Sequence, residues 1–153
     1  MTIPVTIKRI KAGTAEYAQM LDLRDQVLRI PLGLSVKNDD LSKDLQDVLL
    51  VASQGSEVIG CAILHSIDNE VVRLRAMAVT PVVQRKGIGR MLVEEAERVA
   101  FEQGYTRIIL HARIVAVGFY EKMGYVCQGD TFTEVGIPHV LMQRQMHRER
   151  TSG

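Results

Sequence analysis

Residues 71–111 constrain the fold more than any other stretch. Val71–Val79 (VVRLRAMAV) is an apolar run of strand length. Thr80-Pro81 interrupts it, because proline has no N–H for a ladder and pushes the preceding residue toward an extended conformation. Gln84-Arg85-Lys86-Gly87-Ile88-Gly89 follows, short, basic and glycine-bearing. From there Ile88, Met91, Leu92, Ala96, Val99 and Ala100 fall about three or four residues apart, which predicts a helix over Gly87–Glu102. Gly104 stops it as a C-cap glycine would, and Thr106–His111 (TRIILH) reads as a buried strand. A strand, a crossover helix and a second strand make a parallel pair with a right-handed connection.

The turn between strand and helix has a chemical use. The first turn of a helix leaves N–H groups unpaired, and the macrodipole puts partial positive charge there. Glycine lets a ligand approach the backbone. Arg85, Lys86 and Arg90 add full charges, so the turn suits an anion, above all a phosphate or pyrophosphate. The plainer reading is a turn in which Gly87 and Gly89 only satisfy the backbone. A Walker loop needs Lys-Ser or Lys-Thr, and Lys86 is followed by glycine. A dinucleotide fingerprint needs a third Gly or Ala, and Gly87-Ile88-Gly89-Arg90-Met91-Leu92 ends in leucine.

Around this unit the chain reads as strand Val5–Ile10, then a helix from Ala15 to Ile30, stopped by Pro31 and Gly33. Residues 33–46 form a polar loop, either a path for substrate or a solvated connector. Strands Asp47–Ala52, Val58–Ile67 and Val71–Val79 are joined by short turns, so they form an antiparallel meander. A short helix Val115–Met123 stops at Gly124, a strand begins at Tyr125, residues 129–136 are a loop or irregular strand, and His139–Gln145 closes the sheet. The tail from His147 is polar.

Two motifs carry a resemblance to a known family. Gln84-x-x-Gly87-x-Gly89 after a strand ending Ala-Val-x-Pro resembles the pyrophosphate loop of the GNAT N-acetyltransferase superfamily, which binds acetyl-CoA. Phe119-Tyr120-Glu121-Lys122-Met123-Gly124-Tyr125 is similar to that superfamily's Phe-Tyr-x-x-x-Gly-Phe/Tyr pattern. The resemblance implies an α+β fold: a central mixed, mostly antiparallel sheet of six to seven strands flanked by about four helices. It implies one domain over residues 1–146, a polar tail over 147–153, and acetyl-CoA as cosubstrate with no metal. Gln84, Arg85, Lys86, Gly87, Ile88, Gly89 and Arg90 would grip the diphosphate. Met77 and Val79 would pair with the pantetheine as an added strand, with the Val79 N–H polarising the thioester. Ala116, Phe119 and Lys122 would complete the cosubstrate site. Tyr120 would protonate the departing thiolate; otherwise it is an aromatic packed on the sheet. Many members carry Asn where this chain has Arg113, which leaves that pantetheine contact open, with Arg113 either reaching a CoA phosphate or pointing to water. Glu134-Val135-Gly136-Ile137-Pro138-His139 is similar to a tail in one branch of small members, where Glu134 or His139 would relay a proton from the acceptor amine. A surface glutamate and a histidine bonded to backbone are the plain alternatives. Arg24, Arg29, Arg73 and Arg75 either meet an anionic acceptor or lie on solvated faces. His65 and His111 read as structural strand histidines.

Bulk properties agree with this class. The 153 residues carry a formal net charge of +1, which favours neither nucleic acid nor a membrane as partner. The expected partner is a small-molecule or peptide amine, with a homodimer left open. Cys61 and Cys127 read as small core residues. Met1-Thr2-Ile3-Pro4 lacks a signal-peptide pattern and no apolar run reaches spanning length, so a cytoplasmic location is expected.

Overall fold

A computed structural model describes residues 3–83 and 87–146. Seven strands form one sheet in the order β1-β2-β3-β4-β5-β7-β6. They are β1 Val5–Ile10, β2 Val48–Gln54, β3 Glu57–Ser66, β4 Val71–Val79, β5 Arg107–Arg113, β6 Val126–Glu134 and β7 Ile137–Gln145. All neighbours are antiparallel except β4 and β5. The helices are α1 Ala15–Arg24, α2 Ile88–Glu102 and α3 Val117–Glu121. Among the described residues no helix is long and apolar enough to cross a membrane.

Both sheet faces are covered, which is why the central strands read as continuous apolar runs rather than as an alternation. On one face Leu50, Ala62, Leu64, Val72, Leu74, Ile108 and Leu110 pack with Leu92, Val93 and Ala96 of α2. Met91, counted in the apolar spacing, is exposed. On the other face Leu49, Val51, Cys61 and Ile63 pack with Met20 and Leu23 of α1. Thr14 caps α1 by accepting from the Tyr17 N–H at 3.2 Å.

Two sequence readings give way to the structure and a third is narrowed. The helix predicted to reach Ile30 is α-helical only to Arg24; Asp25–Arg29 widens to π geometry and Ile30–Leu32 tightens to a 3₁₀ turn, ending at Gly33 with φ 72°. Residues 129–136, read as a loop or an irregular strand, are mostly the latter: β6 runs to Glu134, with its register to β7 broken between Gln128 and Phe132. Cys127 is exposed on this edge strand, whereas Cys61 is buried, and burial pushes its thiol up to about 12.

The feature that builds the site is a bulge in β4. Cys61 sits opposite Ala78 and Ile63 opposite Arg75, so Ala76 and Met77 share one place in the ladder. Ala76 has φ 53°, a left-handed conformation that costs an L-residue roughly 1–2 kcal/mol. The Cys61 thiol donates to its carbonyl at 3.3 Å. A bulge bends its strand, and the β4–β5 ladder stops just before it, at Leu74 opposite Leu110. Beyond that pair the two strands part.

Candidate active site

The parted strands enclose a cavity of about 700 Å³. Arg75 to Val79 of β4 form one wall and His111 to Arg113 of β5 the other. Side-chain alternation divides it by face. Val72, Leu74, Leu110 and Ala112 belong to the core under α2. Arg73, Arg75, His111 and Arg113 hold the opposite parity and so face the α1 side.

At the α2 end, Gly87 is the N-cap with φ 76°, a left-handed conformation that glycine adopts without strain. Gly87, Gly89 and Arg90 line the cavity mouth. A β-carbon on Gly89 would stand 3.3 Å from Phe119 Cζ and 3.4 Å from Met77 Cε, so glycine lets both side chains lie against the helix. Of the other residues assigned to the cosubstrate, Met77, Val79, Ala116 and Phe119 line the same cavity. Ile88 is buried in the core under α2, and Lys122 is exposed at the end of α3 outside the cavity lining. Gln84, Arg85 and Lys86 lie outside the described residues.

Tyr120 meets the cavity from the α2 side. It is 7% exposed, packed edge to face against Phe119 and Tyr125 with centroids 5.0 and 5.8 Å away. Burial pushes its phenol up to about 12, so the hydroxyl stays protonated throughout the neutral range. No hydrogen-bond partner for that hydroxyl is found among the described residues. The Tyr125 hydroxyl, by contrast, donates to Glu97 at 3.1 Å.

At the α1 end the polar side chains form two linked groups. Asp44, 2% exposed, accepts from Tyr17 Oη at 2.5 Å, Arg24 Nη1 at 2.7 Å and Arg75 Nη2 at 2.9 Å. Arg75 reaches on to Asp47 at 2.8 Å, whose other oxygen meets His65 at 2.8 Å. Arg29 pairs with Asp39. Thus Arg24, Arg29 and Arg75 are not on solvated faces: they line the cavity while tied to carboxylates.

The second group is His111, Glu134, Arg73 and His139. His111 Nδ1 lies 2.7 Å from Glu134 Oε2, and Arg73 Nη2 lies 3.5 Å from Oε1. Burial would raise the Glu134 carboxyl, but the His111 hydrogen bond and the charges of His111, Arg73 and His139 outweigh it and hold it below the ordinary glutamate value. Burial draws the Arg73 guanidinium down, opposed by Glu134. His139 is 5% exposed, bonded through Nδ1 to the Ile137 carbonyl at 2.8 Å and stacked on Phe132. A two-residue turn, Val135-Gly136 with φ 47° and 77°, presents Glu134. Positive φ at a β-branched residue is a genuine outlier, and this one borders the cavity. His111, read from sequence as structural, lines the cavity. Its carboxylate partner lies 23 residues away on the far edge strand, and only the strand order β5-β7-β6 brings them together. Among the described residues no group of three ligating side chains is placed to hold a metal ion.

The comparisons with known proteins agree with this geometry. The pattern of the acetyltransferase (GNAT) domain family matches residues 29–146. A Bacillus subtilis (strain 168) protein named as an acetyltransferase is 34% identical over 107 residues, 70% of this chain and 71% of that one. The crystal structure of a Lactobacillus plantarum protein described as an N-acetyltransferase superposes with a TM-score of 0.82 at 27% identity, covering 92% of this chain and 97% of that one. A GNAT family acetyltransferase from Elizabethkingia anophelis, solved with acetyl-CoA bound, shares the fold with a TM-score of 0.67 at 22% identity, over 93% of this chain and 98% of that one. With most of its length matched by the family pattern and a relative 34% identical over more than two thirds of both chains, the chain belongs to the GNAT acetyltransferase family and is an acyltransferase.

Proposed function

We propose that this protein transfers the acetyl group of acetyl-CoA directly to a primary amine of a small molecule or peptide. The observation that carries this reading is the parting of β4 and β5 beyond Leu74 and Leu110, with the α2 N-terminus at one end and the Tyr120 side chain beside the gap. The cavity suits a long, flexible thioester with a diphosphate handle. Its mouth has a glycine N-cap and a helix N-terminus for the anion, and its wall is strand backbone.

Acetyl-CoA would supply an activated acetyl group. The backbone of Gly87 to Arg90, with the basic residues Arg85 and Lys86 of the preceding turn, holds its diphosphate; Arg113 stands at the other wall in place of the family's usual Asn. Met77 and Val79 hold the pantetheine by main-chain bonds, and the Val79 N–H points positive charge at the carbonyl oxygen where negative charge builds. Phe119 packs along the chain. Tyr120 donates its proton toward the sulfur as it departs. A phenol near 12 is a weaker acid than a thiol near 8.5, so full transfer is uphill unless another proton replaces the one it gives. The acceptor amine, which must lose two protons, is that source. Glu134 and His139, which line the same cavity, are the side chains that the family resemblance offers for that removal.

The test is an assay of free CoA thiol with acetyl-CoA and a panel of amino acids, polyamines and short peptides. We expect thiol release that depends on at least one amine, with a matching acetylated product. Acetyl-CoA should also stabilise the protein, by about 2.7 kcal/mol at a hundredfold excess over its dissociation constant. Stabilisation without thiol release from any amine would make the protein an acyl-CoA sensor instead. No stabilisation at all would leave a protein-interaction domain on this fold.

A further inference from the structure

We propose that His111 is the base that takes the proton from the acceptor amine, and that Glu134 is its positioning residue; this rests on the acetyltransferase reading above. The Glu134 carboxyl is held in its ionised, acceptor-only form, and it lies 2.7 Å from His111 Nδ1. That hydrogen bond therefore needs the proton on Nδ1, which leaves the lone pair of the neutral ring on Nε2. The ring plane is fixed by an edge-to-face contact with Phe132, at 5.1 Å and 82°. Its place along the strand is equally specific. Leu110 is the last β5 residue paired with β4, so His111 is the first residue past the point where the strands part. Strand alternation turns it to the α1 face, while Tyr120 is packed in the core of the α2 face. Base and acid thus flank the gap from opposite sides of the sheet.

The two residues expected from sequence are less suited. Glu134 is committed to His111 and Arg73, and a carboxylate stabilised in its charged form is a weak base. His139 is more deeply buried, stacked on Phe132, and among the described residues its ring is hydrogen-bonded to a carbonyl of its own strand rather than to a carboxylate.

The protons balance as follows. An N–H bond of the acceptor ammonium breaks and an Nε2–H bond forms on His111, whose positive charge Glu134 offsets. The freed nitrogen lone pair forms the amide C–N bond as the thioester C–S bond breaks. The sulfur leaves with the Tyr120 proton, and the second ammonium-type N–H of the new amide returns a proton to the phenolate. His111 then gives its proton to water.

The experiment compares wild type with His111→Gln, Glu134→Gln and His139→Gln, using the amine that gives the fastest CoA release in the panel above. Loss of a general base lowers kcat by about 100-fold or more. We expect that loss for His111→Gln, with the KM for acetyl-CoA and its thermal shift unchanged, and partial recovery of His111→Ala by added imidazole. Glu134→Gln should lose roughly tenfold or more, as an orienting carboxylate does. His139→Gln should lose less than either. Imidazole nitrogen NMR of the free wild-type protein should show His111 protonated on Nδ1 when neutral, a readout that needs neither a variant nor turnover. Near-normal kcat in His111→Gln, or an Nε2-protonated neutral ring in the wild type, would overturn this proposal alone. A wild type that releases no CoA with any amine would overturn the transferase reading, and this proposal with it.

Discussion

Replacing Asp44 with alanine should destabilise the protein by about 3–5 kcal/mol, the usual result of removing one partner from a buried ion pair. In a chain of this length that is a fall in Tm of roughly 6–20 °C. The magnitude follows from what is left behind. Arg24 is 4% exposed and Asp44 is the acceptor for its Nη1, so its charge would stay buried and uncompensated. Tyr17 and Arg75 would lose an acceptor as well. Such a loss compares with total stabilities of roughly 5–15 kcal/mol, so part of the population could unfold at physiological temperature. Chemical denaturation of both proteins at neutral pH measures it. The effect should shrink in acid. Burial alone would raise the Asp44 carboxyl, but the bonds from Tyr17, Arg24 and Arg75 hold it below the ordinary aspartate value. A carboxyl lowered in the folded state adds stability above its unfolded value, near 3.9, and loses it as pH falls through the folded value. The wild type should therefore approach the variant only in strong acid. Activity should suffer too, because Arg24 and Arg75 line the cavity and Asp44 ties them to the loop of residues 33–46.

Tyr120→Phe should give the opposite profile: little change in stability and a kcat lower by about 100-fold or more. The ring stays, and with it the contacts to Phe119 and Tyr125. The lost hydroxyl has no hydrogen-bond partner among the described residues, so its removal breaks no bond to them and leaves no group there unpaired. The KM for acetyl-CoA should hardly move, since the proton matters only as charge develops on sulfur. Steady-state kinetics with a good acceptor beside a thermal melt separates the two effects. Undiminished turnover would remove Tyr120 from the chemistry and leave it as packing.

The strands from Val48 to Val79 were legible as short unbroken apolar runs bounded by turn residues, and helix α2 and strand β5 because their burial is periodic. β6 was not. Val126–Glu134 is an edge strand, exposed along most of its length, so no buried face imposes an alternation. Its pairing with β7 holds it extended instead. The tail of α1 was misread for a related reason: apolar spacing cannot distinguish α from π or 3₁₀ turns when the segment ends at a proline. In the site, the glycine turn and the Phe-Tyr pair were visible because each is local. The ion-pair networks were not, because Arg24 and Asp44 are 20 residues apart and His111 and Glu134 are 23. Only sheet order and the path of the polar loop close those distances.

A crystal structure of the protein with acetyl-CoA tests the central claim most directly. The account predicts the diphosphate against the turn that begins α2, the pantetheine between β4 and β5 beyond Leu74, the thioester carbonyl at the Val79 N–H and the sulfur beside the Tyr120 hydroxyl. Acetyl-CoA bound elsewhere, with the gap between β4 and β5 empty, would contradict it.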